Sequence, residues 1–76
     1  MEIVVYGSGC KNCDTTEQRI REVVEELGVD ASVTHDHDIN SAAEKGIMLT
    51  PGVTIDGEIV SEGSVPTRDE IKKWLK

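Results

Sequence analysis

Two cysteines stand two residues apart in Tyr6 to Cys13, YGSGCKNC, between an apolar run and a stretch of helical periodicity. A thiol pair at this spacing can serve as a redox centre, as a clamp for a soft metal, or as half of a tetrahedral zinc site. Their neighbours Gly7, Ser8, Gly9, Lys11 and Asn12 are small or polar, so the pair does not read as core packing. A zinc site would need two more ligands, and the other candidates of suitable softness are His35 and His37. Those lie at and just past the end of the second expected strand, and no pattern in the chain brings them to the cysteines.

The chain that must position this pair has 76 residues, enough for one small domain, residues 1–76, that buries about 60% of its unfolded surface. Fifteen acidic against eight basic residues give a formal charge of -7, the wrong sign for neutralising phosphates, so nucleic acid is not expected as a partner. The opening MEIVVYG has no basic leader, and no apolar run approaches the length of a membrane span; a soluble, cytoplasmic protein with no membrane partner is expected. A bridge closing so short a loop would constrain the unfolded chain little, so reactivity or metal binding explains the cysteines better than stapling.

Ile3 to Tyr6 is an uninterrupted β-branched and aromatic run, which predicts a central strand covered on both faces and ending at Gly7. From Cys13 the period becomes 3.6, with Ile20, Val23, Val24 and Leu27 on one stripe and Gly28 as the stop. Ala31, Val33 and His35 alternate with Ser32 and Thr34 as a second strand. Ser41 and Glu44 form a capping box for a helix of about two turns before Gly46. Val53-Thr54-Ile55, Asp56-Gly57 and Glu58-Ile59-Val60 predict a hairpin with a type I′ turn. Thr67 and Glu70 cap a last helix whose stripe is Ile71, Trp74 and Leu75, with Lys72, Lys73 and Lys76 towards its end. The order is βαβαββα: an α/β domain with a four-stranded mixed sheet, its first two strands parallel through a right-handed crossover, and three helices on both faces.

In this layout Cys10 stands at a helix N-terminus, where unpaired N–H groups and the helix dipole favour thiolate over thiol. Lys11 supports the same charge, while Asp14 and Glu17 oppose it. Cys13, one turn further in, is expected to be shielded and placed to attack a mixed disulfide formed on Cys10.

The CxxC between a first strand and a helix, with TPGVTIDGEIV placing Thr50-Pro51 directly before a hairpin, resembles the thioredoxin and glutaredoxin superfamily, most closely its very small archaeal and bacterial members. The resemblance covers essentially the whole chain. It implies a minimal thioredoxin fold and a thiol–disulfide oxidoreductase, with Cys10 attacking and Cys13 resolving. It also implies that Pro51 is cis, that Thr50 faces an extended substrate, and that Gly63 lets backbone approach the site. Proline is the residue for which cis is cheap, and at a strand start it removes no ladder hydrogen bond.

This sequence departs from larger thioredoxins in carrying Gly9 where tryptophan is usual, Lys11-Asn12 between the cysteines instead of Gly-Pro, and Val4 where many bury a proton-relaying aspartate. It also lacks their extra N-terminal strand and helix. Proton transfer to Cys13 would then need water or another group. The expectation is no bound cofactor beyond the Cys10–Cys13 dithiol and no metal. The expected partners are disulfide-containing proteins or small thiols and a separate reductase, with the protein acting as a monomer. The alternative is a small heavy-metal-associated domain or Cu(I) chaperone, which also sets CxxC between strand and helix. Against it, Ser8 replaces the methionine of its GMTCxxC signature, and a helix precedes the hairpin. The run THDHDI, with His35 and His37 on one side of an extended segment, reads as a polar strand end before a helix cap, and Tyr6 and Trp74 read as packing residues.

Overall fold

The computed structural model describes residues 1–7 and 11–75, and residue 39 by its backbone alone. Seven elements run in the expected order: β1 (Glu2–Tyr6), α1 (Lys11–Leu27), β2 (Ser32–Asp36), α2 (Ile39–Glu44), β3 (Gly52–Ile55), β4 (Glu58–Glu62) and α3 (Arg68–Leu75). The strands form one sheet in the order β2-β1-β3-β4. β1 pairs parallel to β2, Val5 facing His35, and antiparallel to β3, Val5 facing Val53. β3 and β4 are antiparallel, and their register shifts between Val53 and Thr54.

The apolar run of β1 is central, as its lack of polar interruption requires. Ile3 and Val5 join Val53, Ile20 and Val23 of α1, and Ile71 and Leu75 of α3 in the main core. Val4 packs on the opposite face with Tyr6, Ala42 of α2 and Ile47. Each fully buried aliphatic side chain contributes on the order of 1.5–3 kcal/mol. So α1 and α3 cover one face, with Trp74 packed half-buried at its margin, and α2 covers the other. Arg68 reaches Glu22 and Glu26, and Lys72 reaches Glu26, joining the two helices at the surface.

Gly28, at φ 64°, ends α1 with the paired bonds of a Schellman motif: its N–H donates to Glu25 O and that of Val29 to Val24 O. Leu27 departs from the expected stripe and is exposed, because it occupies the last helical position, past the edge of the core. The Asp56-Gly57 turn has positive φ at both residues, 52° and 87°, as type I′ requires. The cap of α2 is corrected: Asp38, not Ser41, is the N-cap, its carboxylate accepting from Asn40 N–H, and Ser41 lies inside the helix. An aspartate is at least as good a cap as serine, and this one is met first as the chain leaves β2. Thr67 caps α3 as expected, its hydroxyl accepting from Glu70 N–H.

Candidate functional site

The carboxyl end of β1 delivers Gly7 to the place where α1 meets the loop before β3. Gly7 is buried, and its N–H donates to Asp36 O, extending the β1–β2 pairing by one step. Cys10, the expected nucleophile, lies outside the described residues, as do Ser8 and Gly9. α1 begins at Lys11, which is exposed. Cys13 is fully buried in the first turn, as expected from its place one turn in. Thr16, also buried, donates its hydroxyl to Asn12 O at 2.7 Å and ties down that turn.

Three segments distant in sequence meet here. A Cβ placed on Gly7 would run into Sγ of Cys13 and lie 3.7 Å from Cβ of Thr50, so Gly7 touches both the second cysteine and the loop before β3. The Thr50-Pro51 peptide is cis, as the resemblance implied; Thr50 is exposed and Pro51 buried. Gly63, at φ 78°, donates its N–H to Pro51 O at 3.0 Å, and a Cβ there would stand 3.0 Å from Leu49 Cδ1. That glycine therefore holds the Pro51 loop. Met48 N–H donates to the Glu62 carboxylate, anchoring the same loop to β4.

Sequence reasoning passed over Met48 and Leu49, which are 87% and 61% exposed beside Thr50. The signal was present: two large apolar residues between Gly46 and Thr50 that belong to no amphipathic stripe. His35 stands near the end of β2, just before the α2 cap, as expected, but the partners of the ring were not foreseen. Its side chain is 6% exposed, with Nδ1 2.6 Å from Glu17 Oε1 and Nε2 3.0 Å from Gly7 O. Its ring stacks on that of His37 at 4.1 Å. Glu17 also receives Nε–H of Arg21 at 2.8 Å. Burial tends to raise the Glu17 carboxyl, but the hydrogen bonds and charges of Arg21 and His35 outweigh it and hold it below the usual glutamate value. Donor atoms of Asp14, Glu17 and His35 lie within 4.8 Å of one another. The His35–Glu17 spacing is nevertheless that of a charge-assisted hydrogen bond, shorter than two ligands about one zinc ion would adopt.

A parallel β1–β2 unit, an antiparallel hairpin, and a cis-Pro loop set against the second cysteine of a CxxC together define the minimal thioredoxin fold. A family model described as a thioredoxin domain matches residues 1–76, and the chain belongs to that family. It is 43% identical to a thioredoxin of Methanocaldococcus jannaschii over 74 residues, which is 97% of this chain and 85% of the relative. To a thioredoxin of Methanothermobacter thermautotrophicus it is 41% identical over 75 residues, 99% of this chain and 97% of the relative. The helix that precedes the hairpin and the family match leave the heavy-metal-domain alternative unfavoured. No helix among the described residues is long and apolar enough to cross a membrane.

Proposed function

We propose that the protein is a thiol–disulfide oxidoreductase of the cytoplasm. The Cys10 thiolate attacks one sulfur of a substrate disulfide, forming a Cys10–substrate disulfide and releasing the other sulfur as a thiolate. The Cys13 thiolate then attacks Cys10, the Cys10–Cys13 bond forms, and the second substrate sulfur leaves. Two electrons pass from the dithiol to the substrate, and a separate reductase, acting as a dithiol donor, restores the pair. The thiols are themselves the redox group, so neither metal nor organic cofactor takes part. Substrates are disulfide-containing proteins or small disulfides, met by a monomer, with Thr50 and Pro51 receiving an extended segment of the substrate.

The observation that carries this reading is the meeting of buried Cys13 with Gly7 and Thr50. A resolving thiol needs shelter from solvent and a place beside the bound substrate, and the loop carrying Thr50 would supply that place. Names of the relatives support the same chemistry. Lys11, exposed at the start of α1, supports the Cys10 thiolate in a screened way.

The test is catalysis of insulin reduction by dithiothreitol. The wild-type protein should accelerate it, Cys10→Ser should abolish the acceleration with the fold intact, and Cys13→Ser should accumulate a mixed disulfide through Cys10. Undiminished turnover in Cys10→Ser would refute the assignment. Tight Cu(I) binding by the reduced protein without insulin reduction would point to the chaperone chemistry instead.

A further inference from the structure

Both ring nitrogens of His35 face hydrogen-bond acceptors. A backbone carbonyl, Gly7 O, can only accept, and it stands 3.0 Å from Nε2. The carboxylate of Glu17 stands 2.6 Å from Nδ1 and, held ionised by Arg21 and His35 itself, also only accepts. A neutral imidazole carries one N–H and can satisfy one of these partners; an imidazolium carries two and satisfies both. The ring is nine-tenths buried, so its second partner cannot simply be replaced by bulk water.

The two partners are not arbitrary points of the fold. Gly7 is the root of the segment that carries Cys10, and its Cα lies against Sγ of Cys13. Glu17 belongs to the second turn of α1, the helix whose first turn carries Cys13. His35 therefore joins the end of β1 to α1 beside Cys13. Building on the oxidoreductase reading, we propose that His35 is a positioning residue of the dithiol site: as an imidazolium it straps the Gly7 carbonyl to Glu17 and so fixes the end of β1 against the first turns of α1, where Cys13 sits.

The other groups facing the ring define its setting. From α1, Asp14 Oδ1 lies 3.9 Å from Nδ1 and adds a favourable, exposed negative charge. Arg21 spends its charge on Glu17 and donates to Val33 O. On β1 the residue across the ladder is Val5, which carries no charge. On the chain after β2, His37 stacks on the ring and opposes a second positive charge, while the Asp36 carboxylate accepts from Asp38 N–H. Losing one proton from His35 breaks one arm of the strap whichever nitrogen keeps the other.

Two measurements on the full chain test this. Long-range proton–nitrogen spectra at neutral pH should show both ring nitrogens of His35 protonated; a single neutral tautomer would overturn the strap. Stopped-flow reduction of a small aromatic disulfide by the reduced protein should show, besides the thiol titration, an inflection that coincides with the His35 titration seen by NMR. His35→Gln, which keeps one donor and loses the other, should lack that inflection and react roughly tenfold more slowly below it, the equivalent of one charged hydrogen bond. Glu17→Gln offers a carboxamide that can donate to a neutral ring, so it should also lose the inflection yet stay faster than His35→Gln. A wild-type pH profile retained in His35→Gln would refute the positioning role. Failure of the wild-type protein to reduce any disulfide would instead refute the oxidoreductase reading on which it rests.

Discussion

Gly7 is required by contact, not by backbone conformation, since it is not among the residues with positive φ. Alanine there would set its methyl against Sγ of Cys13, in a first turn already fixed by Thr16. Overpacking of this kind lowers stability by about 1–3 kcal/mol. Gly7→Ala should therefore lower the unfolding free energy by that amount, seen as a lower urea midpoint, and, by pushing Cys13 out of its place, make its thiol alkylate faster in the native protein. An unchanged midpoint with an unchanged alkylation rate would show that the glycine is dispensable. Features that follow from one local pattern were legible in the sequence: the burial of Cys13 one turn into α1, and the cis bond at Pro51 by the company it keeps. The partners of the His35 ring were not. Its contact with Glu17 spans 18 residues and depends jointly on the β1–β2 register and the rotation of α1, neither of which a strand-end composition encodes.

At the scale of elements, legibility followed how local the determining bonds are. Asp56-Gly57 needed only its two backbone angles and was read correctly, as was the Thr67 cap, whose bond reaches three residues ahead. The α2 cap was misread because two candidates, Asp38 and Ser41, stand three residues apart, and a short helix has too little periodicity to choose between them. The α3 cap gives a direct test. Thr67→Ala removes the acceptor for Glu70 N–H and should lower stability by about 1 kcal/mol, while Thr67→Ser should recover most of it. α3 covers the main core through Ile71 and Leu75, so fraying at its start should spread into the global transition and appear in equilibrium denaturation. A loss visible only in local hydrogen exchange would mean that the first turn is not coupled to the core.

For the whole molecule, acidification sets two effects against each other. The chain carries a formal charge of -7, and protonating exposed carboxylates relieves that self-repulsion, which favours the folded state. Glu17 acts in the opposite sense. Its carboxyl is held below its unfolded value by Arg21 and His35 despite its burial, so the folded state binds a proton there less readily than the unfolded chain. The stability this gives is fully present above the unfolded glutamate value, near about 4.3, and is lost as pH falls through the lower folded value. A single acid titration of the wild-type protein would mix both terms. Glu17→Gln removes the second while changing the overall charge by one unit, so the difference in urea midpoint between the two proteins isolates it. That difference should favour the wild type just above the ordinary carboxylate range and shrink on further acidification. If the difference instead stayed flat through the acid range, the Arg21–Glu17–His35 cluster would contribute nothing through charge. Its hold on α1 and the end of β1 would then rest on packing alone.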